Sequence, residues 1–193
     1  MTRIEFESAY SRQKLADFID RQSTNQTKKF LKTFVCTKNT DVQDFLHNKA
    51  ITFERNLRSC TYLYTSNADK SVAGYFSIGI TYTLTNKLDK AVVKFLDGYT
   101  DETIAIPCYL VGQLGKSDTC KEKIGSFLLD DALSIIDKAQ GILKGRFVLI
   151  DSVNDEKVIE FYKQNSFIAL ENDKSLKSIK MIKPYFEYSE FKI

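Results

Sequence analysis

Histidine, proline, tryptophan and glycine are all scarce in this chain of 193 residues, which has one histidine, two prolines, no tryptophan and eight glycines. The low proline and glycine content excludes collagen-like and Pro/Gly-rich disordered proteins. The apolar runs are far shorter than the ~20 residues that a membrane-spanning helix needs. The opening MTRIEFESAY contains no apolar signal region. We therefore expect a cytoplasmic protein without a membrane partner.

The cysteines show no metal-binding pattern. Cys36, Cys60, Cys108 and Cys120 stand 24, 48 and 12 residues apart, and no two of them form a CxxC pair. With a single histidine, His47, this set is a poor zinc site, so we expect no metal and mostly buried free thiols. The same shortage argues against a Ser-His-Asp or Cys-His hydrolase, in which His47 would have to act alone.

The charge of the chain is uneven along its length. Residues 1–60 carry 11 Lys/Arg and 7 Asp/Glu, a net +4, whereas residues 61–193 carry 17 and 18, a net −1. A basic N-terminal third is suited to a polyanionic partner. A solvated surface of mixed charge explains it equally simply, because no recognisable nucleic-acid-binding motif accompanies it.

Hydrophobic periodicity predicts a mixed α/β single domain. Helices are expected at 4–21, 40–57, 89–97, 124–139 and 154–164, and strands at 28–36, 60–65, 71–84, 103–114, 145–151, 166–171 and 176–184. The strands 60–65 and 71–84 are predicted to pair as an antiparallel hairpin. In the helix at 40–57, Thr40 is the expected N-cap, and His47 falls on the polar side, where we expect it to be solvated.

Several aromatic residues are predicted to pack in the core or on the sheet: Tyr62, Tyr64, Tyr75, Phe76 and Tyr82. An acceptor-site role for Tyr75 or Phe76 is left open.

A strand, a charged loop at 116–123 and a helix form a unit whose loop suits an anion. Unpaired N–H groups and the helix dipole favour phosphate at a helix N-terminus. Basic and small residues gather there: Lys116, Lys121, Lys123, Gly125 and Ser126. The loop has neither a Walker lysine motif nor GxGxxG, which disfavours an NTPase or a dinucleotide-binding fold. A purely structural role for this unit is the alternative.

The next unit, VLIDSVNDEKVIEFYKQNSFIAL at 148–170, is the point at which the sequence resembles the GNAT (Gcn5-related) N-acetyltransferase superfamily. LVGQLGKSDTCKEKIGSFLLDDAL at 110–133 is similar to its acetyl-CoA strand and pyrophosphate loop. Upstream segments resemble the branch that contains bacterial and phage GNAT toxins. The resemblance covers residues 30–184, which divides the chain into an N-terminal helical extension, 1–27, and a GNAT-like domain, 28–193.

The resemblance implies a mixed, mostly antiparallel central sheet flanked by helices. The strands at 109–115 and 146–151 would be its splayed pair, β4 and β5, with the cofactor between them. Two departures from the family pattern stand out. The pyrophosphate signature Q/R-x-x-G-x-G/A reads Cys120-Lys-Glu-Lys-Ile-Gly125 here, so Lys123 replaces a glycine, and Ser166 replaces another glycine after the FY motif.

The site residues are carried over from the resemblance. Acetyl-CoA, as co-substrate, would contact Gln113, Leu114, Gly115, Lys121, Glu122, Lys123, Ile124, Gly125, Ser126 and Asn154. Tyr162 would be the general acid, with core packing as its alternative role. The general base stays open among Glu5, Glu54, Asp118 and Glu122.

The resemblance therefore implies acetyl transfer from acetyl-CoA to a primary amine, with aminoacyl-tRNA as the acceptor in the toxin-like branch. A small amine, a protein N-terminus or a lysine side chain fits the same chemistry, and the sequence does not choose between them. A homodimer and an antitoxin protein are further partners that it suggests. The alternative, prompted by the altered pyrophosphate loop, is a GNAT-fold binding module without catalytic activity.

Overall fold

Seven strands form one mixed sheet in this computed structural model, which describes residues 1–170 and 175–186. The strands are β1 (Tyr10–Lys14), β2 (Cys60–Ser66), β3 (Val72–Leu84), β4 (Ala105–Lys116), β5 (Phe147–Val153), β6 (Ile168–Ala169) and β7 (Ser178–Pro184). Their order across the sheet is β1-β2-β3-β4-β5-β7-β6. β4 and β5 run parallel, while β1–β2, β2–β3, β5–β7 and β6–β7 are antiparallel. This is the mixed, mostly antiparallel sheet that the family resemblance implies, and the splay of β4 and β5 stays a prediction.

Eight α-helices are described around this sheet: α1 (Arg3–Ala9), α2 (Leu15–Arg21), α3 (Thr24–Leu31), α4 (Thr40–Asp44), α5 (Ala50–Arg55), α6 (Lys90–Asp97), α7 (Gly125–Ile142) and α8 (Glu156–Gln164). A π-helical turn, Phe45–Lys49, joins α4 to α5. None of the helices in the described residues is both long and apolar enough to cross a membrane.

The chain forms two compact units, and β3 and β4 each contribute to both. The first unit holds Met1–Gly79 and Val111–Lys138; the second holds Ile80–Leu110 and the described residues from Ala139 onward. In the first unit, fully buried side chains from the N-terminal helices and from β2 and β3 make up a core that includes Leu15, Leu31, Phe34, Leu46, Leu63 and Tyr75. In the second unit, α6 packs on β4, β5 and β7 through residues that include Leu96, Ile106, Phe147 and Ile182.

The N-terminal segment is fixed to the first unit by one buried carboxylate. Asp131 of α7, whose side chain is 8% exposed, accepts hydrogen bonds from Tyr64 on β2 and from Arg3 on α1. The Arg12 guanidinium on β1 lies 3.2 Å from the same carboxylate. Burial and the hydrogen bond to Asp131 raise the pKa of Tyr64, so its hydroxyl keeps its proton.

The predicted helix at 4–21 is wrong over residues 10–14. That stretch is β1, which pairs along its whole length with β2, from Tyr10 opposite Ser66 to Lys14 opposite Tyr62. Backbone bonds to a strand whose paired residues lie 48 to 56 positions later outweigh the local helical pattern, which survives only in α1 and α2. The domain boundary at residue 27 stays a prediction.

The predicted strand at 28–36 is also wrong, because α3 covers residues 28–31 and residues 32–36 form a turn and irregular chain. Ser23 and Gln26 form a capping box, in which the Ser23 hydroxyl accepts from the Gln26 N–H and the Gln26 side chain accepts from the Ser23 N–H. The helix at 40–57 forms, but Asn39 rather than Thr40 caps it, and the π-helical turn interrupts it.

The other predicted elements are confirmed within a few residues, including the hairpin of β2 and β3. Glu171, the last residue of the predicted strand at 166–171, lies outside the described residues. All four cysteines are free thiols; three of them are buried and Cys60 is exposed.

Candidate functional site

The N-terminus of α7 presents backbone donors that have no acceptor among residues 1–170 and 175–186. The first hydrogen bond of this helix runs from the Leu128 N–H to the Ile124 carbonyl, at 3.1 Å. The N–H groups of Gly125, Ser126 and Phe127 therefore have no acceptor within the helix. No acidic residue stands in its first turn. Together with the dipole of an 18-residue helix, these donors form a local environment that favours an anion.

The loop before α7 has one buried side chain that holds it in place and two exposed lysines. Ile124 is fully buried and fixes the start of α7, while Lys121, Lys123 and Ser126 are exposed. Within the described chain, neither lysine forms an ion pair. Both ammonium groups are thus available to an anion at this helix terminus.

Lys116 acts differently from the other two lysines of the loop. Its ammonium group donates to the Cys120 carbonyl and, at 3.3 Å, to the Ser117 carbonyl. It closes the loop on itself, and so it holds the backbone in place rather than presenting its charge outward.

Lys123, which stands where the family has glycine, does not strain the loop. The residues other than glycine with positive φ in the described chain are Leu57, Lys70 and Ser166. The backbone at Lys123 is therefore in a region open to any L-residue, and the missing glycine does not prevent this loop from forming.

A cluster of three side chains, Tyr10, Cys120 and Glu122, lies beside the loop. The Tyr10 hydroxyl donates to the Glu122 carboxylate at 2.9 Å and lies 3.4 Å from the Cys120 sulfur. The hydrogen bond from Tyr10 lowers the pKa of Glu122. The adjoining cavity of about 350 Å³ is lined by Glu122 and Asp69 and by no lysine or arginine of the described chain. It is therefore a poor phosphate site.

On β4, Gly115 is buried against two side chains of the N-terminal region. A Cβ at this position would lie 2.5 Å from Val42 Cγ1 and 3.2 Å from Phe34 Cζ. Close packing therefore requires a glycine here, independently of the predicted contact between its backbone and the cofactor. Gln113 and Leu114 are half-buried on the same strand.

In the second unit, Asn154 and Asp155 organise the entry into α8. Asp155 caps the helix, since its carboxylate accepts from the N–H groups of Lys157 at 2.9 Å and Val158 at 3.2 Å. Asn154 donates from its side-chain amide to the Leu176 carbonyl at 2.8 Å. One donor of Asn154 is therefore used within the protein, and its predicted hydrogen bond to the pantetheine stays a prediction.

Tyr162 lies near the end of α8 in an apolar environment. It is 6% exposed, and its ring centroid is 5.1 Å from that of Phe161 and 5.6 Å from that of Phe167. Burial raises the pKa of Tyr162 to about 12. The phenol is therefore fully protonated at neutral pH, as a proton donor must be.

The helix ends in a Schellman motif that fixes this tyrosine. The Phe167 N–H donates to the Tyr162 carbonyl and the Ser166 N–H to the Lys163 carbonyl, both at 3.0 Å. Ser166 has φ 66°, the left-handed conformation in which glycine is favoured. This backbone conformation explains why the family has glycine at this position. Ser166 adopts the same left-handed conformation, with the steric strain that its Cβ brings.

The four candidate bases differ in their environments. Hydrogen bonds lower the pKa of Glu5, Asp118 and Glu122; the principal donor is a backbone N–H for the first two and a tyrosine hydroxyl for the third. Burial raises the pKa of Glu54, whose carboxylate accepts from the Thr61 N–H at 2.7 Å. Glu54 is thus the one candidate of the four whose surroundings favour the protonated form.

The remaining aromatic and histidine predictions have mixed outcomes. Four of the five aromatic residues, Tyr62, Tyr64, Tyr75 and Phe76, are buried as expected, whereas Tyr82 is 62% exposed. Tyr75 and Phe76 are fully buried and not accessible to an acceptor. The expected solvation of His47 is wrong, because its Nε2 lies 2.9 Å from the Phe34 carbonyl in a half-buried position.

The predicted residues are distributed over both units. Gln113, Leu114, Gly115 and residues 121–126 belong to the first unit, and Asn154 and Tyr162 belong to the second. Sequence reasoning missed Tyr10, because it read the segment as a helix and no local pattern links it to Glu122.

Comparisons with known proteins find similarity at the level of structure. No protein-family model matches the sequence, and a search of curated proteins gives no match. AtaT complexed with acetyl-methionyl-tRNAfMet is 19% identical with a TM-score of 0.67, and the match covers 91% of this chain and 94% of that one. AtaTR bound with AcCoA is 18% identical with a TM-score of 0.64, over 91% and 94%. A tyrosine-to-phenylalanine mutant of KacT is 14% identical with a TM-score of 0.69, over 91% and 95%.

AtaT and KacT are GNAT-fold acetyltransferase toxins. At these identities, the similarity establishes the fold, and it does so over nearly the whole length of each protein. The fold predicted from the resemblance is confirmed: this chain has the GNAT fold that these acetyltransferase toxins share.

Proposed function

We propose that this protein is an acetyl-CoA-dependent N-acetyltransferase acting on a primary amine. The observation that carries the proposal is the start of α7, where unpaired N–H groups and two exposed lysines coincide in a GNAT fold. The match to AtaTR bound with AcCoA supports the same co-substrate. Acetyl-CoA would supply an activated acetyl thioester.

The loop residues fit the pyrophosphate of that co-substrate. The backbone of residues 121–126 would hold the phosphates, with Lys121 and Lys123 adding positive charge. Three features support the fit: the ordinary backbone at Lys123, the absence of an acid in the first turn of α7, and the anchoring of the loop by Lys116. Gln113, Leu114 and Gly115 would line the pantetheine, as would Asn154.

Tyr162 would act as the general acid. With a pKa of about 12, about one molecule in 10⁵ carries an ionised Tyr162 at pH 7. The Schellman motif and the neighbouring aromatic rings hold the side chain in one orientation. The acceptor amine must be neutral to form the new N–C bond as the C–S bond breaks. Its nitrogen then loses one proton to a general base or to water, and Tyr162 gives one proton to the leaving thiolate.

Aminoacyl-tRNA is the acceptor that the surface charge favours. Residues 21–39 contain five basic residues and no acidic one. All five, Arg21, Lys28, Lys29, Lys32 and Lys38, are exposed, and within the described chain none forms an ion pair. Such a surface suits the phosphates of a folded RNA. AtaT was solved with acetyl-methionyl-tRNAfMet, which is consistent with this acceptor class.

An antitoxin partner in the cytoplasm is part of the same proposal. AtaT was solved with the C-terminus of the antitoxin AtaR, and KacTA with DNA. The proposal predicts a neighbouring gene for a small antitoxin, whose co-expression relieves the growth defect that this chain causes.

The test has two stages, binding and transfer. Acetyl-CoA at 1 mM, about 100 times a Kd of 10 µM, should raise the melting temperature, because it stabilises the native state by about 2.7 kcal/mol. The double variant Lys121→Glu/Lys123→Glu should lose most of that rise. Lys87→Glu/Lys90→Glu, outside the loop, is the matched control and should keep it. No rise in the unmodified protein would sink the proposal.

Transfer is measured with labelled acetyl-CoA against aminoacyl-tRNA, polyamines and peptides. Tyr162→Phe should lower kcat at least about 100-fold, the usual contribution of a general acid, with little change in the acetyl-CoA-induced rise in melting temperature. Tyr99→Phe serves as the control. Unchanged turnover in Tyr162→Phe would remove this tyrosine from the mechanism.

The binding module without catalytic activity is favoured by one observation, the replacement of the family's first signature residue by Cys120, whose carbonyl accepts from Lys116. Binding of acetyl-CoA with no transfer to any acceptor would support that alternative.

A further inference from the structure

The loop before α7 separates its charged side chains onto two sides. Ile124 is fully buried, whereas Lys121 and Lys123, which alternate with it, are exposed. Glu122 lies between the two lysines in sequence, but its carboxylate accepts a hydrogen bond from the buried Tyr10 at 2.9 Å. The even-numbered side chains of this loop therefore point towards the body of the first unit, and the two lysines lie on its solvent side.

Two contacts hold the Glu122 carboxylate on the inner side. Besides the Tyr10 hydroxyl, the Cys120 sulfur lies 3.6 Å from the same carboxylate oxygen, Oε2. The hydrogen bond from Tyr10 lowers the pKa of Glu122, so the carboxylate is ionised at neutral pH. Burial raises the pKa of Tyr10, so its hydroxyl keeps the proton that it donates. A permanent negative charge is thus bound to a permanent donor, one residue away from each lysine.

Tyr10 is itself fixed relative to the start of α7. Its ring centroid lies 5.4 Å from that of Phe6. Phe6 in turn stacks on Phe127, in the first turn of α7, with 4.6 Å between the ring centroids. The backbone of Tyr10 is held as well, because β1 begins there, with Ser66 of β2 as its partner. One packed group of side chains therefore connects β1 to both the loop and the helix N-terminus.

The position of the Glu122 charge matters for an anion at this loop. A carboxylate and a phosphate a few ångströms apart repel each other, and the repulsion falls with distance. Glu122 lines the cavity beside β1 together with Asp69, and no lysine or arginine of the described chain lines that cavity. The hydrogen bond to Tyr10 thus keeps the negative charge on the cavity side and leaves the solvent side to Lys121 and Lys123.

We propose that Tyr10 is a positioning residue of the phosphate-binding loop, which holds the Glu122 carboxylate away from the bound anion. The role rests on the proposed function, because the anion is the pyrophosphate of acetyl-CoA. Tyr10 touches neither the phosphates nor the acetyl group in this role and acts only through Glu122. β1 is thereby part of the co-substrate site, although it lies within the segment 1–27 that the family resemblance sets apart.

Two substitutions at Glu122 separate its charge from its position. Glu122→Asp keeps the charge but is one methylene too short to reach the Tyr10 hydroxyl. It should weaken acetyl-CoA binding about 5-fold in isothermal titration calorimetry. Glu122→Gln keeps an acceptor for Tyr10 and removes the charge, so it should bind acetyl-CoA slightly more tightly than the unmodified protein. A loop that needs this side chain only for its shape would be weakened by both changes.

Tyr10→Phe breaks the same hydrogen bond from the other side and keeps the ring that packs on Phe6. It should raise the Kd for acetyl-CoA about 5-fold, and the KM equally with kcat unchanged. Adding Glu122→Gln should restore both. The defect should nearly disappear in 1 M NaCl, where the screening length is about 3 Å. Tyr64→Phe is the matched control, since it removes a buried hydroxyl that donates to the carboxylate of Asp131, outside the loop, and it should leave this Kd unchanged.

The outcomes distinguish this role from the proposed function. No binding of acetyl-CoA by the unmodified protein would overturn both. Binding that is unchanged in Glu122→Asp and Tyr10→Phe would overturn only the positioning role. Equal weakening by the two Glu122 substitutions, or a defect in Tyr10→Phe that Glu122→Gln does not rescue, would also overturn it, because either result indicates a purely structural contact. If Tyr10→Phe does not fold, the two Glu122 substitutions decide by themselves.

Discussion

Replacing Asp131 with asparagine should show whether the N-terminal segment is an integral part of the first unit. The carboxylate accepts from Tyr64 and Arg3 and lies 3.2 Å from Arg12, so it joins α7 to β2, α1 and β1. Asparagine keeps the shape of the side chain and one acceptor oxygen. The substitution therefore removes the negative charge and leaves the packing almost intact.

The expected loss follows from the exposure of each partner. The arginine side chains are 41% and 44% exposed, so each ion pair contributes about 1 kcal/mol or less. The Tyr64 hydroxyl is buried, and a hydrogen bond to a charged acceptor contributes about 1.5–3 kcal/mol, of which a neutral amide retains roughly half. Asp131→Asn should therefore lower the free energy of unfolding by about 2–3 kcal/mol.

Urea unfolding followed by circular dichroism measures this loss, and the melting temperature should fall by roughly 5–10 °C. Asp130→Asn is the matched control, because Asp130 is exposed and adjacent in sequence, and its effect should stay within about 0.5 kcal/mol. A loss below about 1 kcal/mol, or equal losses in the two variants, would refute the reasoning and leave residues 1–14 as a weakly attached segment.

Two further predictions concern α8. Ser166→Gly should stabilise the protein by about 0.5 kcal/mol, because relief of left-handed strain slightly exceeds the added flexibility of glycine in the unfolded chain; a urea midpoint below that of the parent would contradict this. Burial raises the pKa of Tyr162 to about 12, above the usual tyrosine value of about 10, so the native state keeps a proton that the unfolded chain loses as pH rises. This contribution is fully present below pH 10 and declines by about 1.4 kcal/mol by pH 11. Tyr162→Phe should lack that part of the decline, and identical slopes of stability against pH in both proteins would disprove it.

The candidate site was predicted from sequence to the extent that its parts are local. The start of α7 and its lysines are contiguous, and a helix N-terminus exposes its N–H groups whatever lies elsewhere in the chain. Tyr162 and Ser166 belong to α8 and its C-terminal cap, so both lie within the short segment FYKQNSF at 161–167. The cluster of Tyr10, Cys120 and Glu122 was not predictable, because Tyr10 lies more than 100 residues before the other two and only the fold brings it to them.

The N-terminal third shows where local pattern misleads. Tyr10–Lys14 carries no strong strand signal and forms β1 because β2 offers an unpaired edge. In contrast, α3 begins at a local signal, the capping box of Ser23 and Gln26, and this signal outweighs the alternation of apolar residues at 28–36.

The scarcity of histidine and patterned cysteine, the uneven charge and the order of helices and strands after residue 60 were determined by the sequence alone, because composition and periodicity are local properties. Tertiary structure decided which segments pair, which tyrosines lose contact with water, and where strand pairing stops. The exposed stripe at Ile80, Tyr82 and Leu84 is the clearest case. The alternation of apolar residues predicts a strand whether its apolar side chains are buried or exposed. The tertiary structure decides that they are exposed, and that β2 ends at Cys60 and leaves this part of β3 without a partner on that edge.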